Sequence, residues 1–305
     1  MIKSLDELLE LKGNKMKLAV VACQDEDVLG AVVESAEMGI SDPILIGSKQ
    51  ETFDLAEKLG LDISTFRFIE SSSLEEAAET GVRLVSAGEA DYLMKGLVDT
   101  SILLKAVLNK EWGLRTDSLL SHVMVYEIGT YHKLLYLTDG GMNLYPDVEE
   151  KAKIIDNASA VARAMGNEKI KVAVLAAKEK VNPKMQATVD AAELERLGKE
   201  GRFGDDVIVE GPMALDLALS KEAVQVKRFP GEVAGDADIL LVPNIEMGNG
   251  IGKAITYLAG GKSAGIIMGA KVPVVLVSRA DDKETKLYSI ALGNMIAKYS
   301  REMAK

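Results

Sequence analysis

Residues 172–177 read VAVLAA, an unbroken apolar run that stops at Lys178-Glu179, with Asn182-Pro183 close behind. A strand with one wet face alternates apolar and polar positions. A short, continuously apolar strand is instead the pattern of a parallel strand covered on both faces. The pattern recurs as LAVVAC (18–23), ILLVP (239–243) and VVLVS (274–278). With these go the strand candidates Pro43–Ile46, Phe66–Ile69, Tyr92–Met94, Leu134–Leu137, Val207–Val209 and Gly265–Met268. Helix-length amphipathic segments lie between them, among them Asp27–Met38, Ser73–Ser86, Thr100–Leu108, Glu149–Met165 and Thr285–Glu302. The alternation predicts right-handed βαβ crossovers and an α/β fold. About ten strands crowd a single open sheet, so two mostly parallel-sheet lobes are expected. Composition marks no boundary between them.

Composition narrows the function. The chain has 305 residues and a formal net charge of −11, which argues against a nucleic-acid binder with its basic face. A local basic pocket for small anions stays compatible with that charge. Cys23 is the single cysteine, so no intrachain disulfide forms and a reducing, cytoplasmic setting is expected. The charged, amphipathic start MIKSLDELLELKGNK lacks the apolar core of a secretory signal, and no apolar run approaches membrane-spanning length.

Polar and glycine residues gather just past the strand ends: Lys95-Gly96, Thr138-Asp139 with Asn143 downstream, Glu179 with Asn182, and Glu210-Gly211-Pro212. Asn244, Glu246 and Gly248 follow ILLVP, and Ser278-Arg279 closes VVLVS. Open parallel sheets bind ligands beyond the carboxyl ends of their strands, although ordinary turns use the same residue types. Arg279 beside a hydroxyl is a natural fork for phosphate. Lys95, Lys105 and Arg115 could converge on the same anion, or the last two could belong to a solvated face.

Familiar motifs are imitated without being met. GNGIG (248–252) has Lys253 where the dinucleotide fingerprint needs its third glycine. It is read instead as a loop whose amides approach an anion at the start of the next helix, with Lys253 adding charge. GGKS (260–263) lacks the first P-loop glycine, that position being Thr256. His122 and His132 are the only histidines, no zinc-type spacing exists, and the G-x-S-x-G elbow is missing. His122 reads as a structural histidine. Asp281, Asp282 and Glu284 serve either as a base or as an acidic first turn that offsets a helix dipole.

Beyond these patterns, the chain resembles the phosphate acetyl/butyryltransferase family over nearly its whole length. The resemblance is carried by DYLMKGLVDTSILLKAVLNKEWGLRT (91–116), SHVMVYE (121–127), LYLTDGGMNLYPDVEEK (135–151) and VNPKMQATVDAAEL (181–194). EGPMALDLALS (210–220), GDADILLVPNIEMGNGIGKAITYLAG (235–260) and VPVVLVSRADDKETKLYSIAL (272–292) complete it. The butyryl-transferring branch is the one it looks most like. The resemblance implies two α/β lobes with an interlobe cleft, as in isocitrate/isopropylmalate dehydrogenases. One lobe would hold 1–133 plus 271–305, and the other 134–270 and the contacts of a homodimer or higher homo-oligomer.

It also implies reversible transfer of an acyl group between acyl-CoA and inorganic phosphate, giving acyl phosphate and CoA, with no metal and no bound organic cofactor. Ser278 and Arg279 match an active-site Ser-Arg pair of acetyl-transferring relatives. The catalytic aspartate those relatives carry seven residues later is replaced here by Thr285. The base is therefore open among Asp281, Asp282, Glu284 or none. Arg279, Lys95, Arg115 and Lys105 are the expected phosphate ligands. Gly96, Thr138, Asp139, Asn143, Glu179, Asn182, Gly211, Pro212, Asn244, Glu246, Gly248 and Lys253 are the expected CoA and substrate cleft. The alternatives are acetyl, propionyl or branched acyl substrates, a decarboxylating 2-hydroxyacid dehydrogenase on a similar fold, and a binding-only solute receptor.

Overall fold

The computed structural model describes residues 1–11, 15–278 and 280–303. Its strands are β1 (Met16–Val21), β2 (Ser41–Gly47), β3 (Arg67–Glu70), β4 (Tyr92–Lys95), β5 (Ser121–Glu127) and β6 (Leu135–Thr138). They continue as β7 (Ile170–Leu175), β8 (Val207–Met213), β9 (Ile239–Leu241), β10 (Lys262–Met268) and β11 (Val274–Val275). The helices are α1 (Leu5–Glu10), α2 (Glu26–Glu37), α3 (Lys49–Leu59), α4 (Leu74–Ser86), α5 (Thr100–Val107) and α6 (Val148–Ala164). After them come α7 (Gln186–Lys199), α8 (Leu215–Leu219), α9 (Lys221–Lys227), α10 (Ile245–Leu258) and α11 (Lys283–Met303). The fold is mixed α/β and mostly parallel, as the apolar runs predict.

Two compact units are present. One comprises Leu5–Ser118 and the chain from Ala264 onward; the other comprises Met1–Ser4 and Leu119–Ser263. In the first, hereafter the terminal unit, the strand order is β3-β2-β1-β4-β11-β10, parallel except for the antiparallel β10–β11 pair. Short polar side chains cap the starts of α2 and α4. Asp25 accepts from the Val28 amide at 3.0 Å, and Ser73 from the Glu76 amide at 3.1 Å. Gly81 lets α4 lie close on the sheet, because a Cβ there would stand 2.5 Å from Val21 Cγ2.

In the second, hereafter the middle unit, the order is β5-β6-β9-β7-β8. Tyr126, Leu135, Leu137, Ala173, Leu175, Leu217 and Leu240 are buried together on one side of this sheet. Asp147 and Glu150 form a reciprocal capping box at the start of α6.

Three expectations are corrected here. SHVMVYE is a strand, β5, and it runs antiparallel to β6, which groups residues 119–133 with the middle of the chain rather than with its N-terminal part. GNGIG does not precede a helix: it lies inside α10, whose N-cap is Asn244. Gly211 and Pro212 lie within β8 rather than past its end. The β5–β6 and β10–β11 pairs are the antiparallel exceptions in the expected mostly parallel arrangement.

Candidate active site

In the middle unit, β6 ends on Thr138 and the chain turns through Asp139-Gly140-Gly141-Met142-Asn143. Thr138 Oγ1 donates to His122 O at 2.9 Å, tying this end to β5. Asp139 is 2% exposed. Its Oδ1 accepts from the amides of Gly141 at 2.8 Å and Met142 at 2.9 Å. Its Oδ2 accepts from the amides of His122 at 3.2 Å and Asn143 at 3.3 Å, and from Asn143 Nδ2 at 2.6 Å. The carboxylate therefore organises the loop from within. His122 is buried and its ring packs on Gly141, where a Cβ would stand 2.7 Å from Nδ1; this fits the structural reading of that histidine.

The start of α10 packs against the same loop. Asn244 Oδ1 accepts from the Met247 amide at 3.0 Å, and the Gly248 amide already donates to Asn244 O at 3.2 Å. The first-turn donors that an anion at GNGIG would need are thus partly taken. The two buried glycines serve packing, Gly248 against Gly140 and Gly252 against Tyr126 Oη. Lys253 is exposed and stands 5.7 Å over the Tyr257 ring. Glu246 accepts from the Tyr145 hydroxyl, which holds that phenol's pKa above its ordinary value.

Glu179 pairs with Lys227 at 2.9 Å, and that hydrogen bond holds its carboxyl below the usual range. Asn182 closes its own turn, accepting from the Lys184 amide at 3.0 Å. Gly211 gives close approach to β7, since a Cβ would stand 2.8 Å from Val174 Cβ. A cavity of about 650 Å³ opens beyond the ends of β6, β7 and β9. Tyr145, Asp147, Lys151, Gln186, Asp190 and Asn244 are among the residues lining it. Lys151 Nζ donates to Asp190 Oδ2 at 2.6 Å, and both side chains are buried. No sequence signal pointed to this pair, because its members are 39 residues apart on different helices.

In the terminal unit, Lys95 ends β4 and is 8% exposed, its ammonium donating to Gly96 O at 3.3 Å. Gly96 is required by packing: a Cβ there would stand 2.2 Å from Ala22 O. Ser278, three residues beyond β11, is exposed; its amide donates to Asp281 Oδ2 at 2.8 Å and its Oγ accepts from the Ala280 amide at 3.4 Å. Asp282 Oδ1 accepts from the Thr285 amide at 2.8 Å, which makes it a cap of α11. Glu284 accepts from Tyr288 Oη at 3.2 Å. The buried Lys286 donates to Asp281 O and lies 3.7 Å from Asp27. Lys105 and Arg115 are exposed. Arg279 lies outside the described residues. Among the described residues, no cluster of three or more His, Cys, Asp or Glu side chains is placed to hold a metal ion, and no helix is long and apolar enough to cross a membrane.

The sequence model of the phosphate acetyl/butaryl transferase family matches residues 71–293. The chain belongs to that family. It is 47% identical over 299 residues to a phosphate butyryltransferase of Clostridium acetobutylicum, covering 97% of this chain and 99% of the relative. A phosphate acetyltransferase of Thermotoga maritima is 42% identical over 294 residues, covering 96% and 99%. The crystal structure of a branched-chain phosphotransacylase from Enterococcus faecalis is 34% identical, with a TM-score of 0.82 over 92% of this chain and 99% of that one. As a phosphate acetyl/butaryl transferase family member, the chain is an acyltransferase, and both strand-end rims described above lie inside the matched span.

Proposed function

We propose that the chain is a phosphate butyryltransferase that exchanges the acyl group between butyryl-CoA and inorganic phosphate, yielding butyryl phosphate and CoA. The observation that carries this reading is the 47% identity, at nearly full length on both sides, to a phosphate butyryltransferase. A second reading, a broad or branched-chain phosphotransacylase, is favoured by the likeness to the Enterococcus enzyme. Measuring kcat/KM with acetyl-, propionyl-, butyryl- and isobutyryl-CoA separates the two. Butyryl-CoA leading the series supports the first, and isobutyryl-CoA leading it supports the second.

Phosphate is already a good nucleophile at neutral pH, whereas the thiol of CoA, with a pKa near 8.5, is only a few per cent ionised. A base therefore contributes modestly, about 10²-fold or less in the acyl-phosphate-consuming direction. The larger task is to hold two anions beside one carbonyl. Orientation supplies on the order of 7–11 kcal/mol of that. We assign Arg279, with help from Lys95, Arg115 or Lys105, to the phosphoryl group. Ser278 donates to the developing oxyanion, an effect worth about 2.7–4 kcal/mol. Transfer is direct, within a ternary complex. Each candidate base already accepts a hydrogen bond, Asp281 from the Ser278 amide, Asp282 from the Thr285 amide and Glu284 from Tyr288 Oη, so the base stays open among the three or none. The same reading keeps a cytoplasmic setting, kinship with the isocitrate/isopropylmalate dehydrogenase architecture and a homodimer or higher homo-oligomer formed through the middle of the chain.

A further inference from the structure

In the Asp139–Asn143 loop the side-chain oxygen of Asn143 has no protein partner among the described residues. Asn143 Nδ2 donates to Leu120 O at 2.9 Å and to Asp139 Oδ2 at 2.6 Å. Both partners are acceptors only, so the amide orientation is fixed: a flip would set its oxygen against a carbonyl and a carboxylate. Asp139 is held in turn by four backbone amides. Asn143 Oδ1 accepts no hydrogen bond among the described residues, and it is not a buried orphan, the residue being partly exposed.

A rigid acceptor of this kind is suited to a neutral donor and opposes phosphate oxygens, which are acceptors themselves. Next to its thioester, an acyl-CoA carries an amide N–H two carbons from the sulfur. We propose that Asn143 Oδ1 accepts that N–H and so fixes the thioester relative to β6, with Asp139 as the positioning residue that aims it. The inference rests on the phosphotransacylase reading above and adds to it the part of the substrate that this loop reads.

The test compares S-butyryl-N-acetylcysteamine with its ester counterpart, in which oxygen replaces the N–H, each with phosphate and the full-length protein. The wild-type protein should favour the amide by about five- to tenfold in kcat/KM, the factor a neutral hydrogen bond supplies. Asn143→Ala should bring the ratio to about one while the apparent KM for phosphate is unchanged, and Asp139→Asn should lower it part of the way. A wild-type ratio near one overturns the inference without any variant, and so does an undiminished preference in Asn143→Ala. If butyryl-CoA itself yields no acyl phosphate, the underlying reading falls and takes the inference with it. If butyryl-CoA reacts but the ratio is one, only the inference falls.

Discussion

Gly248 of α10 rests on Gly140 of the β6 loop so closely that a Cβ on Gly248 would stand 2.6 Å from Gly140 Cα and 2.9 Å from Asp139 O. Helix propensity alone favours Gly248→Ala by about 1 kcal/mol. The clash is with backbone, which no side-chain rotation relieves, and overpacking of this kind costs about 1–3 kcal/mol. Gly248→Ala is therefore expected to lower Tm, against propensity, and to lower kcat/KM by displacing the Asp139 loop. Thermal melting and steady-state rates on one preparation check both, and a rise in Tm with full activity would refute the packing account.

Substitutions at the proposed phosphate and oxyanion positions are expected to separate kinetically. Ser278→Ala should lower kcat by about 10²–10³ with little change in KM. Arg279→Gln should raise the apparent KM for phosphate sharply and also reduce turnover. A wild-type kcat for Ser278→Ala would remove that hydroxyl from the mechanism.

Acid sensitivity is expected from Asp236. It binds His132 Nε2 at 2.7 Å, Lys171 Nζ at 2.6 Å and Lys133 Nζ at 3.2 Å. Burial raises its pKa, but the bonds from Lys171 and His132 and the charge of Lys133 outweigh it and hold the carboxyl well below the ordinary carboxylate value. A depressed folded-state pKa gives stability that is complete above the unfolded value of about 3.9 and is lost as pH falls below it. Asp236→Asn should cost about 1.5–3 kcal/mol at pH 7, the range for charge-assisted hydrogen bonds. Its Tm should also fall less than the wild-type Tm between pH 5 and pH 3. Parallel pH–Tm curves for the two proteins would contradict this.

Cys23 is buried, and burial pushes its thiol up to about 11. In the folded protein it should resist alkylation at pH 8, then react on addition of denaturant. Rapid labelling of the native protein, followed by mass spectrometry, would count against the packing around β1.

The apolar runs made the parallel strands legible, since a strand covered on both faces has no polar position to interrupt it. SHVMVYE escaped because Ser121, His122 and Glu127 dilute the pattern. Once it is taken as a strand, the short link from Glu127 to Leu135 leaves no room for a parallel crossover, which needs a dozen or more residues. GNGIG misled for a related reason: glycine reads locally as loop, while here the contacts with Gly140 and Tyr126 favour it inside a helix. Strand-end polar residues were visible along the chain. Their roles were not, because whether Asp139 meets a ligand or four N–H donors of its own loop and the His122 amide of β5 is decided by three-dimensional convergence.

The most direct test of the account follows CoA thiol release and acyl phosphate formation together, while butyryl-CoA and phosphate are varied in turn. The expected result is one acyl phosphate per thiol, saturation in phosphate and intersecting initial-rate lines. Thiol release that ignores phosphate and yields butyrate would contradict the account.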